Sequence, residues 1–235
     1  LRMLVPELVP SVVQLKRDLE HDASILNTRF RGIYISRTRK DIGVESNYIP
    51  HVHTVKPMGS QRGMSGAEMF KYTRGQGAYN QVNKLIEVIK SHRPGKGIVF
   101  VWQHVVRNFV EGELRNTDIK FESISGLTNN KERARIMKEF NEGKLDTVLI
   151  STKTSVDLDS DYVFFYEFTV DVRQVIGRAE RGLNPKDLHI HWLFTQETGE
   201  FDYFKENIYN RSLLVRNVVG TQCDDLDEVA TTIGG

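Results

Sequence analysis

The stretch Gln174-Val-Ile-Gly-Arg-Ala-Glu-Arg181 decides how this chain is read. It places Gln174, Arg178 and Arg181 at i, i+4 and i+7, the spacing of one helix face. Just upstream, Tyr162-Val-Phe-Phe-Tyr166 has the continuous apolar character of a buried strand. Asp171, with Gln174 three residues later, has the pattern of a capping box. Gly182 stands where the helix should end, and Pro185 blocks a restart. A short helix after a core strand therefore carries two guanidiniums on its last turns, and Gly177 leaves room beside them for a close approach. Permanently charged planar forks of this kind suit a triphosphate whose γ-phosphoryl charge must be neutralised during transfer. A lone Q-x-x-x-R-x-x-R would be read as a solvated basic face. The strand, the cap, the glycine and the second arginine together favour phosphate chemistry.

Outward from this stretch the pattern is regular. Val82, Leu85, Ile86 and Ile89 fall at helical spacing, with Pro94-Gly95 as the stop. Ile98–Trp102 reads as a strand and about 105–114 as a helix. Phe121–Ser125 reads as a short strand. Asn129 and Glu132 open a helix bearing Ile136, Met137 and Phe140, which Gly143 closes. Asp146–Ile150 and Leu188–Phe194 are further strands, and His51–Val55 is an alternating one. Strands alternating with helices predict an α/β fold, a mostly parallel sheet with helices on both faces. Nearer the start, Ser11 caps an expected helix to about Glu20, and Gly32–Ser36 reads as a strand. Five glycines between 57 and 78 mark a connection with at most a short helix around 67–72. The chain divides on this reading into a junction segment 1–75, an α/β lobe 76–222 and a flexible tail 223–235.

Composition narrows the classes. The chain has 235 residues, 39% hydrophobic and 27% charged, ordinary values for a globular protein with one sizeable core. A net charge of +1 gives no global field for nucleic acid, so any such contact must be local. Cys223 is the only cysteine, which excludes an internal disulfide and fits a reducing, intracellular setting. No run approaches the about 18 apolar residues of a membrane span, so no membrane partner is expected. The chain opens on Leu1, and its first residues already read as the interior of a fold, as expected of a piece of a longer protein.

With these residues in view, the chain resembles the C-terminal RecA-like lobe of superfamily 2 helicases. The nearest subgroup is that of DNA-translocating ATPases of the switch/sucrose-non-fermenting type. Gln174–Arg181 is similar to the family's sixth motif at its glutamine, glycine and both arginines. Ser125–Arg133, followed by Phe140–Gly143, resembles the block before the fifth motif. Val148–Thr152 resembles the start of the fifth, and Ile98–Gln103 stands in the place of the fourth. Ser36–Ile42 is similar to the basic segment that joins the two lobes, which makes Arg37, Arg39 and Lys40 hinge candidates.

The resemblance implies roles. Arg178 and Arg181 would be fingers reaching ATP across a cleft, worth about 10³–10⁵ in rate where such fingers are known. Gln174 would orient water or nucleotide, and Gly177 would lie against the nucleotide. Gln103, Ser125, Gly126, Ser151 and Thr152 would contact a nucleic-acid backbone, double-stranded DNA by preference. On the residues alone, a turn or cap role for Ser151 and Thr152 is equally open. ATP with Mg²⁺ would be held mainly by a first RecA-like lobe expected before Leu1, because these residues contain no G-x-x-x-x-G-K-[S/T] loop. Alone, this lobe should be almost inactive. The fifth motif also departs from the family: Lys153–Asp161 lacks glycine and carries Asp157, Asp159 and Asp161 where nucleic acid is expected. An RNA or branched-DNA helicase lobe, or a degenerate lobe serving as a binding scaffold, are the rival readings. Two paired histidines, His51/His53 and His189/His191, each lack an obvious third ligand, so no metal site is assigned. Trp102 and Trp192 fall on strand runs and are expected in the core.

Overall fold

The computed structural model describes residues 47–69, 78–151, 156–169, 171–180, 186–210, 213 and 224–234. The expected helix from Ser11, the strand at Gly32–Ser36 and the hinge candidates Arg37, Arg39 and Lys40 lie outside them. Six strands form one sheet: β1 (Asn47–Val55), β2 (Gly97–Phe100), β3 (Phe121–Ile124), β4 (Thr147–Ile150), β5 (Tyr162–Phe165) and β6 (Asp187–Thr195). Their order is β1-β6-β5-β2-β4-β3, and every pairing is parallel. This is the RecA-like α/β fold expected, and all strand carboxyl ends emerge on one edge.

The alternation along the strands explains the layering. In β2, Ile98 and Phe100 join a core with Ile136, Phe140, Val172, Val175 and Ile176. Val99, on the opposite face, joins a core with Val82, Leu85, Val110 and Leu114. The helices α1 (Tyr79–Ser91) and α2 (His104–Arg115) therefore cover one face. On the other lie α3 (Asn130–Asn141), α4 (Val172–Ala179) and α5 (Glu200–Phe204). Strands buried on both faces read as unbroken apolar runs for this reason. Asn129 caps α3 as expected, its side chain accepting the Glu132 N–H at 2.9 Å.

The short helix expected around 67–72 has its start at Gly66–Glu68, opened by a Ser65–Glu68 capping box, and residues 70–77 lie outside the described ones. The structure differs from the expectations in two places. The segment read as a tail contains α6 (Asp224–Gly234), whose Leu226 and Val229 are fully buried in the first core. Leucine and valine three residues apart put two apolar groups on one helical face, which outweighs the acidic and small residues around them. Trp102 is 44% exposed and not part of the core, because β2 ends at Phe100 and, after the buried Val101, the chain turns into α2, whereas Trp192 is buried in mid-strand.

The histidines also come together. His51 and His191 are register partners on neighbouring strands. His51 Nε2 lies 2.8 Å from His189 Nδ1, His53 Nε2 2.8 Å from His191 Nδ1, and His92 Nε2 2.8 Å from His191 Nε2. Five imidazoles thus form a hydrogen-bonded stack between β1, β6 and the end of α1. Among the described residues no group of three or more His, Cys, Asp or Glu is placed to hold a metal ion.

Candidate functional site

The helix α4 begins at Asp171, whose carbonyl accepts the N–H groups of Gln174 and Val175 at 3.0 and 3.2 Å. The expected capping box is not formed. The Asp171 side chain makes no cap bond, and its own N–H donates to Thr169 Oγ1 at 3.1 Å instead. The Thr169 hydroxyl, two residues earlier, thus accepts the N-cap N–H that the Gln174 side chain would have bonded in the box. The four buried side chains of α4 (Val172, Val175, Ile176 and Ala179) face the sheet. Gln174 and Gly177 are therefore exposed, and Arg178 is half-buried on the same side. A Cβ placed on Gly177 would meet no atom within 4 Å, so this face of the helix opens outward. Arg181, Gly182 and Pro185 lie outside the described residues.

The Arg178 side chain runs back toward the sheet's carboxyl edge, as helical side chains do. Its Nη1 donates to the carbonyl of Ser151, the residue that follows β4, at 3.2 Å. Burial pushes its guanidinium below the ordinary value, while Asp157 and Asp171 act in the opposite direction. A guanidinium remains charged through such shifts, so the effect is a partly desolvated, strengthened cation. Backbone bonds from Leu158 N–H to the Arg178 carbonyl at 2.8 Å, and from Ser160 N–H to the Ala179 carbonyl at 3.0 Å, lock the helix end against the β4–β5 connection.

The expected nucleic-acid contacts fall on the carboxyl edge of three adjacent strands, β2, β4 and β3. Gln103 follows β2, Ser125 and Gly126 follow β3, and Ser151 follows β4. Thr152 lies outside the described residues. Ser125 forms a tight turn: its carbonyl accepts the Thr128 N–H at 3.1 Å, and its Oγ accepts the Leu127 N–H at 3.2 Å. Gly126 is exposed, with open space at its Cβ position. Gln103 is bonded within the fold. Its side-chain amide donates to Glu167 Oε1 at 3.0 Å and its backbone N–H to Glu167 Oε2 at 2.8 Å, so its nitrogen is used internally. Sequence reasoning missed Glu167, which sits one residue past an aromatic strand with no motif to mark it.

The carboxyl edge is also where the exposed large apolar side chains collect. Trp102, Val105 and Leu127 are all at this edge, with Leu127 87% exposed at the tip of the Ser125 turn. Of the acidic residues in the fifth-motif segment, Asp157 acts on Arg178, while Asp159 and Asp161 lie elsewhere. Asp161 Oδ2 accepts the Lys96 N–H at 2.8 Å, and Asp159 pairs with Lys186, both at the amino ends of β5 and β6. The chain crosses the sheet between β4 and β5, which carries those two carboxylates away from the edge where they were expected.

Comparisons place this geometry. Residues 80–183 match the helicase conserved C-terminal domain. The C-terminal part of the Fun30 ATPase domain superposes with a TM-score of 0.52 and 19% identity, over 64% of this chain and 56% of that one. Dbp5 from S. cerevisiae, bound to RNA and ADP BeF3, gives 0.50 and 15% over 85% and 48%. The chain thus spans about half the length of each. No curated protein matches the chain significantly. The matched span, less than half of the chain, runs from α1 to α4, and the fold is that of a RecA-like lobe.

Proposed function

We propose that this chain is the second motor lobe of a DNA-dependent ATPase of the translocase type, closest to the switch/sucrose-non-fermenting group. One observation carries the reading: α4 presents Gln174, Gly177 and Arg178 on a single outward face, with Arg178 resting on the first residue after β4. The fold's likeness to the Fun30 ATPase domain accords with it.

ATP fits this face as a substrate held from its far side. The open space over Gly177 admits a phosphate chain, and the partly desolvated Arg178 offers a fork for its oxygens. Gln174 supplies a neutral donor and acceptor beside it, and Arg181 would add the second cation. A phosphate loop must come from another lobe, here proposed as part of the same parent protein, and Mg²⁺ would be held there. DNA would run along the carboxyl edge past Gly126, Ser125, Ser151 and Thr152, where open turns and backbone amides can approach phosphates. Closure of the cleft on ATP and reopening after hydrolysis would move one lobe along the nucleic acid.

The test is ATP turnover by the intact parent protein, with and without duplex DNA and with single-stranded RNA in a parallel arm. Arg178→Ala should lower the stimulated rate by roughly 10³-fold or more while thermal unfolding stays near that of the wild type. A rate indifferent to Arg178 removes the finger. Stimulation by RNA but not DNA moves the protein to the helicase reading. Salt-dependent binding without turnover makes it a scaffold.

A further inference from the structure

Glu167 is completely buried at the carboxyl end of β5. Burying a carboxylate costs several kcal/mol unless its oxygens are satisfied, so its bonding partners show what it is for. Both oxygens accept from one residue: Oε2 from the Gln103 backbone N–H at 2.8 Å, and Oε1 from the Gln103 side-chain amide at 3.0 Å. Gln103 is the N-cap residue of α2, makes no side-chain cap bond of its own, and follows the exposed Trp102. Glu167 therefore clamps the start of α2, with one rim residue in its grip, against the end of β5.

The other side of Glu167 leads to α4. Phe168, next in the chain, packs among Trp192, Phe194 and Phe204, with ring centroids 6.4, 5.1 and 5.7 Å away. Thr169 Oγ1 then accepts the N–H of Asp171, the N-cap residue of α4. On either side of residue 170, which lies outside the described residues, the connection is held by a carboxylate, a ring cluster and a hydroxyl. The far end of α4 is tied to the same edge a second time, by the Arg178 bond to the Ser151 carbonyl. Strand ends and finger helix thus form one mechanically continuous unit.

We propose that Glu167 is a positioning residue that couples the nucleic-acid rim to the finger helix. A phosphate backbone that displaces Gln103 pulls on the Glu167 carboxylate, and the short pinned connection passes the shift into α4 and the Arg178 guanidinium. Glu167 touches neither ligand in this scheme. It sets how far binding at the rim changes the hydrolysis rate, which is a coupling free energy rather than an affinity. The inference rests on the motor-lobe reading above.

The experiment compares wild type with Glu167→Gln in the intact parent protein, measuring ATP turnover against mixed-sequence duplex DNA, or single-stranded RNA if that is the better stimulant. Glutamine keeps the shape but sets an N–H against one of the two Gln103 donors. The basal rate and the half-saturating nucleic-acid concentration should stay within about threefold, while the maximal stimulated rate falls about tenfold. Thr169→Val, which withdraws the hydroxyl that accepts the Asp171 N–H, should uncouple in the same sense, and it decides the matter if Glu167→Gln fails to fold. An unchanged stimulated rate in these variants overturns the coupling role. So does a parallel fall of basal and stimulated rates, which marks a merely structural carboxylate. If the wild type itself shows no stimulation, the motor-lobe reading falls and the coupling with it; normal stimulation in wild type and variants alike removes only the coupling.

Discussion

At Gly177 the absence of a side chain has two separable effects. In mid-helix, glycine costs about 0.5–1 kcal/mol relative to alanine, and here a Cβ would meet nothing within 4 Å. Gly177→Ala should therefore raise the thermal midpoint slightly while reducing nucleic-acid-stimulated turnover, because the added methyl stands where the nucleotide is proposed to lie. A variant that is both more stable and fully active would show that the face is never approached. Arg178 makes the complementary case. Lysine keeps the charge but cannot reproduce a planar fork, so Arg178→Lys should recover little of the rate lost in Arg178→Ala. Their shared helix face was legible in the sequence, because the spacing of the stretch prescribes it. Glu167 was not, since a buried carboxylate with both oxygens bonded to a residue 64 positions away leaves no local signature.

Elements were legible where burial imposes a period. The core strands are buried at every position and so appear as unbroken apolar runs: β2, β4 and β5. The helix α1 shows its period because one stripe alone faces the sheet. Where tertiary contacts decide, the pattern fades. The run of α5 passes into a π-helical turn at Lys205–Tyr209, a geometry with no sequence rule behind it. In α6 Leu226 and Val229 are the fully buried apolar side chains among the described residues, too few to reveal a helix among acidic neighbours. If they anchor it, Leu226→Ala should lower unfolding stability by about 3 kcal/mol, measured by urea denaturation. An effect below about 0.5 kcal/mol would mean that the helix adds little to the fold.

For the molecule as a whole, the histidine stack predicts acid sensitivity. Burial is the main cause that pushes His51 and His92 down from 6.5, His53 down to about 4 and His191 to about 2. Lys84 on α1 and the neighbouring imidazoles push the same way, while Glu87, Asp161 and Glu228 oppose them. The folded state thus refuses protons that the unfolded chain accepts. The stack's contribution to stability is complete above about pH 6.5 and declines as the pH falls from there towards 4. Urea midpoints at pH 7.5 and pH 5 should differ accordingly, and His92→Gln should shrink the difference; equal midpoints would contradict it. The fold class, by contrast, needed no such measurement to be read, since strands alternating with helices admit few arrangements other than a parallel sheet. What that reading left out is the long reach of β1, which pairs with β6 along nine residues, the first pair being Asn47 with Asp187, 140 positions apart. During synthesis the first of these strands leaves the ribosome long before the second exists. At 5–20 residues per second it waits roughly 7–28 seconds for its partner. In that interval its backbone edge is unclaimed, which makes it the part of the nascent chain with most need of a chaperone.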